Sequence, residues 1–272
     1  MRESHVGSGD GESGGAAVSG PHVELGMYPF ESFAWAWDEL WSAVTDRVAW
    51  APGPLTRSGD LHARWRDDAC LVTHVCGAPL VVEHRDDLRV VGAFSLDVPD
   101  ATPDAHYRTL LLSPHDRSID ALAAPGIRAV VNSADSLSGW ISLLAATVGA
   151  GGTWPGDVEF TGSHVASVHS LARGEADIAS IDPWSFALMA AENPDLVGGL
   201  HVVGTGPLVP TPAVAARHTC TESQVAELRD AFDDATSDPA LGAALTALRI
   251  TGFVRLTLDD YLTGMPPGFD RN

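Results

Sequence analysis

Lysine is absent from this chain: all 16 basic residues are arginine, and they face 36 acids for a net charge of −20 over 272 residues. Phosphate backbones are held by basic faces, so nucleic acid is not expected as a partner, and an anionic membrane surface would be repelled. Without lysine there can be no Gly-x-x-x-x-Gly-Lys phosphate loop. Cysteine is scarce too. Cys70, Cys76 and Cys220 form an odd set without a short repeat, which is no disulfide framework. Free thiols are expected, with a single Cys70–Cys76 bridge as the alternative. Cys-x-x-Cys, His-Glu-x-x-His and tight His/Cys clusters are all missing, so neither a metal nor a cofactor is expected. No run approaches 18 apolar residues, so no membrane insertion is expected. Residues 1–20 are Gly/Ser-rich and acidic and lack an apolar stretch. They fail the pattern of a secretory signal and read as a disordered leader over 1–22. The chain is therefore expected in the cytoplasm, or outside it if the start site is misassigned.

What is present is a 45% hydrophobic chain that alternates apolar runs with Gly/Pro/Ser breaks. Such a chain buries one large domain or two lobes. Val23 to Met27 reads as a first strand. Phe33, Trp37, Leu40, Trp41 and Val44 recur at helical spacing. Strands are expected over Ala69 to Val75, Leu88 to Phe94, Tyr107 to Leu112 and Ile127 to Val131. A polar turn, Asn132 to Gly139, leads into an apolar helix, Trp140 to Val148, closed by a Gly-rich linker at 149–152. The strand Asp157 to Thr161, a helix from Val165 to Arg173 and the strand Asp177 to Ile181 follow, then a helix opened by Asp182. After the strand Leu200 to Gly204, the segment Gly206 to Pro212 reads as a return crossing, and Val214 to Arg217 as a strand. Thr221-Glu222-Ser223-Gln224 is a capping box, and two further helices end the chain. Alternation of this kind implies an α/β fold with mainly parallel sheets. A change of lobe is expected near Ser113-Pro114, which makes 23–112 with 207–272 one lobe and 113–206 the other.

The residues with chemistry sit at strand-to-helix turns. Helix N-termini present unpaired N–H groups and partial positive charge, so they hold anions. Ligands of open α/β sheets lie at the carboxyl ends of the strands. Ser136 and Ser138 occupy one such turn, and Ser163 and His164 a second, about 25 residues on. Together they fit a phosphate-, phosphonate-, sulfonate- or carboxylate-type oxyanion; ordinary N-capping is the alternative for each. Asp182, before Pro183, either caps its helix or accepts an ammonium or hydroxyl of the ligand, with Trp184 stacked on that group. Tyr28 and Tyr107 are candidates to close the pocket from the other lobe. No Gly-x-Ser-x-Gly elbow occurs, and no spacing singles out a Ser-His-Asp set.

These pieces resemble the phosphate/phosphonate-type substrate-binding proteins of ABC transporters, within the type II periplasmic-binding-protein fold. The matching segments are Met27-Tyr28-Pro29, Leu55-Thr56-Arg57, Cys76-Gly77-Ala78-Pro79-Leu80, the Asn132 to Gly139 turn, Thr161-Gly162-Ser163-His164, and Gly174 to Asp182. The resemblance implies two α/β lobes joined by two crossover segments, with the ligand clamped between them. It implies that Ser136, Ser138, Ser163 and His164 contact an oxyanion, that Tyr28 lines the first lobe, and that Asp182 takes the ligand's polar or cationic tail. Leu137 departs from the small polar residue often found inside the Ser-rich turn. The function expected is that of a monomeric, non-catalytic binding protein for a small anionic or zwitterionic solute, working with an ABC transporter permease. A cytosolic enzyme on the same fold, acting on a small carboxylate or pyrimidine metabolite, and a cytosolic ligand sensor are the alternatives.

Overall fold

Short stretches of two to ten residues, the longer ones rich in Val, Ile and Leu, form the strands. A computed structural model describes residues 20–57, 60–149, 152–267 and 269. The leader expected over 1–22 lies outside them up to residue 19, and the Gly-rich linker at 149–152 lies partly outside. The strands are β1 (His22–Glu24), β2 (Cys70–Val75), β3 (Leu88–Leu96), β4 (Ala101–Thr102), β5 (His106–Ser113), β6 (Arg128–Val131), β7 (Asp157–Phe160), β8 (Ile178–Ile181), β9 (His201–Pro210), β10 (Ala213–Arg217) and β11 (Ile250–Val254). They form two sheets. The first has the order β1-β2-β10-β3-β11; the second runs β4-β5-β8-β6-β7, with β9 added on β5. This is the expected two-sheet α/β arrangement, but the ladders are mixed. Among the described residues three strand pairs are parallel and six antiparallel. The antiparallel pairs come from strands that enter a sheet on a crossing or return leg, a long-range feature that local alternation does not carry.

The helices are α1 (Ala34–Thr45), α2 (Leu61–Arg66), α3 (Gly77–Val82), α4 (Ile119–Leu122), α5 (Ser142–Thr147), α6 (His164–Ala172), α7 (Pro183–Glu192), α8 (Pro194–Val197), α9 (Glu222–Ser237), α10 (Gly242–Ala247) and α11 (Leu258–Thr263). Helix α1 buries Trp37, Leu40, Trp41 and Val44, the stripe its spacing predicts. The capping box at Thr221 and Gln224 starts α9. Arg217, only 1% exposed, closes the end of α2 by donating to the carbonyls of Trp65 at 2.9 Å and Asp67 at 2.8 Å.

The expected lobe boundaries shift. β5 pairs with β8 and β9, so the strand around Tyr107 belongs to the second sheet. Ser113-Pro114 ends a strand and does not change lobe. The segment expected as a return crossing from Gly206 is the second half of β9, where Tyr107 pairs with Val209 and His106 with Pro210. Proline is tolerated there because β9 is an edge strand whose outer N–H groups need no partner. We place the crossings instead between β3 and β4 and between β9 and β10.

The largest apolar cluster spans both sheets. At its centre His74 lies among the rings of Tyr28, Trp37, Phe94 and Trp184, all 5.7–5.9 Å away. Burial pushes its imidazole down to about 3. The unfolded chain takes up this proton near pH 6.5 and the folded protein does not, so His74 lowers stability progressively as pH falls below about 6.5. Glu24 acts with the opposite sign. Burial raises its carboxyl to about 7, so its contribution is full below 4.5 and is lost as pH rises through 7. The stability difference between His74→Phe and wild type should therefore shift in favour of the variant by about 2–3 kcal/mol between pH 7.5 and pH 4.5. Urea denaturation across that range measures it; a difference independent of pH would contradict the assignment.

Candidate functional site

Parallel pairing of β6 with both β7 and β8 brings three strand ends, and the helix starts that follow them, to one edge of the second sheet. After β6, Ser136 Oγ accepts the Gly139 N–H at 3.0 Å. Residues Leu137–Ile141 make one π-helical turn that runs into α5, with the Ile141 N–H donated to the Ser136 carbonyl at 3.1 Å. Such wide turns recur at functional sites because they re-aim side chains. After β7, Gly162 takes a φ of +85°, open to glycine at no steric cost. Ser163 then caps α6 by accepting the Ala166 N–H at 3.1 Å. After β8, Asp182 caps α7 by accepting the Ser185 N–H at 2.7 Å.

The first two turns touch. Ser138 Oγ and His164 Nε2 are 3.0 Å apart, so the two serine-bearing turns point into one place. Ser180 holds this arrangement from below by donating to the Ser138 carbonyl at 2.7 Å. Burial lowers the His164 imidazole below its ordinary range, against the pull of Asp182. A cleft of about 550 Å³ opens over these turns, and its walls come from both sheets. Ser136, Ser138, Ser163 and His164 all line it, with Tyr28 and Pro29 opposite.

Tyr107 and Trp184 do not line the cleft, which corrects two of the expected contacts. Tyr107 is 3% exposed, and its hydroxyl donates to Asp182 Oδ2 at 2.6 Å. Trp184 is fully buried. Its ring lies tilted by 38° against Tyr28, centroids 4.1 Å apart, and its indole N–H donates to the Leu248 carbonyl at 2.7 Å. The helix face that carries Trp184 turns toward the first sheet, so the ring is core and not a ligand platform. Asp182 does reach the cleft wall, but its Oδ2 also accepts the Tyr28 hydroxyl at 3.1 Å.

Sequence reasoning missed the mouth of the cleft. Asp60 and His62, at the start of α2, face Asp135 across it, with His62 Nδ1 and Asp135 Oδ2 3.7 Å apart. The cap signal was there: Asp60 precedes Leu61 and Trp65 at helical spacing and accepts the Ala63 N–H. No arginine lines the cleft among the described residues, whereas Asp60, Asp135 and Asp182 do. Among those residues no group of three or more His, Cys, Asp or Glu side chains is placed to share a metal ion. The three cysteines are unpaired.

Residues 68–261 match the family described as ABC transporter, phosphonate, periplasmic substrate-binding protein. The chain belongs to this family. It is thus a solute-binding protein of the phosphonate ABC-transporter type, and the family is a transporter component, not an enzyme class. The family is periplasmic, which overturns the cytoplasmic location expected from the first residues. Solved structures share the fold at low identity. A binding-protein component of an ABC phosphonate transporter from Pseudomonas aeruginosa is 15% identical, with 90% of this chain and 83% of that one covered and a TM-score of 0.68. PhnD1 from Prochlorococcus marinus, in complex with methylphosphonate, is 12% identical over 90% and 94%, with a TM-score of 0.73. A Xanthomonas citri protein bound to ATP is 16% identical over 91% and 97%, with a TM-score of 0.65. No curated protein matches in sequence.

Gly139 is the tightest position in the Ser-rich turn of this phosphonate-family protein. A Cβ there would sit 2.0 Å from Asn132 Oδ1 and 3.1 Å from Ser136 Oγ. Gly139→Ala should therefore displace the Asn132 amide from the cleft wall and destabilise the fold by about 1–3 kcal/mol, the usual cost of overpacking. Chemical denaturation checks it, and an unchanged midpoint would show that the turn has room.

Proposed function

We propose that the cleft binds a small phosphonate-type oxyanion that also carries a positive group, and that the filled protein delivers it to an ABC transporter permease. One observation carries this reading: the Ser138–His164 contact, which joins two helix-start turns in one cleft. Hydroxyls of Ser136, Ser138 and Ser163 and the unpaired N–H groups of the two helix starts supply the donors. With no arginine in the lining, these dipoles stand in for side-chain cations. The carboxylates of Asp60 and Asp135 at the mouth would repel a dianion, and an ammonium or similar group on the ligand offsets them. The methylphosphonate complex of the Prochlorococcus protein, which shares the fold, supports the oxyanion part.

Binding without turnover is the reading that the polar contacts favour. Asp182, the carboxylate beside the Ser138–His164 pair, is bonded to two tyrosines and a backbone N–H, while His164 Nδ1 has no hydrogen-bond partner among the described residues. The pair therefore lacks the orienting acid that acyl or phosphoryl chemistry on a Ser-His pair uses.

Titration calorimetry with methylphosphonate, 2-aminoethylphosphonate, phosphate and small carboxylates tests the assignment, with phosphonates expected to bind tightest. Silence with every oxyanion at millimolar concentration would defeat it. Ser138→Ala and Ser163→Ala should each weaken phosphonate binding by roughly 1.5–3 kcal/mol, the range for a hydrogen bond to a charged group. Asp135→Asn should weaken 2-aminoethylphosphonate and spare methylphosphonate; equal losses would remove Asp135 as the partner of the positive group.

A further inference from the structure

Asp182 sits in the cleft wall yet has little capacity left for a ligand. Its carboxylate is 2% exposed. One oxygen accepts the hydroxyls of both Tyr28 and Tyr107, at 3.1 and 2.6 Å; the other accepts the Ser185 N–H at 2.7 Å. A carboxylate oxygen offers about two lone-pair directions, so Oδ2 is filled. Burial, with the Asp182 charge adding to it, holds both phenols well above their ordinary range, so both remain donors at any physiological pH. Two residues further on, the Trp184 indole N–H reaches the Leu248 carbonyl, and the ring lies on Tyr28.

The partners of this cluster come from both sheets. Asp182 and Trp184 follow β8 of the second sheet, and Tyr107 lies within β5 of the same sheet. Tyr28 follows β1, and Leu248 precedes β11, both strands of the first sheet. The Asp182–Tyr107 bond is therefore internal to one sheet layer, whereas the Asp182–Tyr28 bond and the Trp184–Leu248 bond tie the two layers together. A charge-assisted bond is stronger than a neutral one, and here it joins two residues that both line the cleft.

We infer that Asp182 is a positioning residue, the latch that holds the two layers closed through Tyr28, and that it does not read the ligand's positive group. The ligand part of this inference rests on the cleft being the phosphonate site; the closure part does not. On Oδ2 a ligand ammonium would have to displace a buried phenol already bonded at 3.1 or 2.6 Å, and beside the Ser185 bond only one lone-pair direction of Oδ1, on a residue 2% exposed, is left. Carboxylates without such partners stand at the mouth, on Asp60 and Asp135.

The two tyrosines provide an internal contrast, and Tyr→Phe keeps each ring in place. Small-angle scattering of the ligand-free full chain should show a larger radius of gyration for Tyr28→Phe than for wild type, and no change for Tyr107→Phe. Calorimetry should show Tyr28→Phe weakening methylphosphonate and 2-aminoethylphosphonate by the same factor, roughly three- to tenfold, as for one lost hydrogen bond. Equal expansion by both variants, or by neither, would overturn the latch. A loss confined to 2-aminoethylphosphonate would also overturn it, because it would make the cluster the reader of the ammonium. Should wild type bind neither phosphonate, the ligand assignment fails while the scattering contrast still decides the closure. Asp182→Asn, if it folds by circular dichroism, should match Tyr28→Phe in both measurements; a selective loss of the amine-bearing ligand would count against the inference in the same way.

Discussion

Parallel register between β6, β7 and β8 is the constraint on which the site depends. Three neighbouring strands that run the same way must end at the same edge, so the three helices that follow must start there. Each start brings uncancelled N–H groups and the positive end of a dipole. No single turn makes a pocket. Ser136 and Ser163 each do the ordinary work of a cap. What converts two caps into a cradle is their adjacency across the sheet, which brings Ser138 within 3.0 Å of His164. Antiparallel β5, on the far side of β8, contributes no helix start to this edge. It contributes the hydroxyl of Tyr107, which secures the third turn at Asp182.

Charge then decides what such a cradle can accept. A net charge of −20 and a cleft lined, among the described residues, by three aspartates and no arginine would oppose any free dianion at long range. Helix dipoles act only within about the first turn. In the proposed binding mode the anionic end of a ligand sits deep, against Ser138 and the start of α6, while the carboxylates of Asp60 and Asp135 face its other end. Asp182 is withdrawn from this balance by its own phenol partners, which leaves Asp60 and Asp135, one from each side of the cleft, to set the field that an entering solute meets.

Much of this was readable in the amino-acid order, and what was not has physical causes. The Ser- and Gly-punctuated turns at 132–139 and 161–164 were legible because cap chemistry is local: a hydroxyl, a glycine able to take φ of +85°, then an apolar helix. The two-lobed α/β architecture followed from alternation and from the family resemblance. Strand direction was not legible. Pairing between residues such as Leu112 and Val202 joins neighbouring strands that are far apart in the chain, so β5 could not be assigned to its sheet from its own sequence. The fate of Trp184 was hidden as well. Helix α7 is apolar on several faces, and only the packing of its first turn against Tyr28 and Leu248 decides that the indole faces the core and not the cleft. The Asp60–His62 wall was missed because α2 is a single short helix whose signal rests on one cap and two apolar residues.

The tautomer of His164 separates binding from catalysis. Its Nδ1 is buried without a hydrogen-bond partner among the described residues. A buried N–H left orphaned is rarer and costlier than a bare lone pair, so the proton belongs on Nε2. That nitrogen then donates to Ser138 Oγ across the 3.0 Å contact, and the imidazole stays neutral because burial lowers its proton affinity. In this tautomer the nitrogen facing Ser138 already carries the proton, so it serves as a donor to the serine. The serine's own hydroxyl hydrogen is left for a further acceptor, the Tyr107 hydroxyl or a group in the cleft, and is made a better donor by the bond received from His164. The same two side chains that would suggest a hydrolytic pair are thus polarised in the direction that serves an oxyanion: proton outward, lone pair occupied.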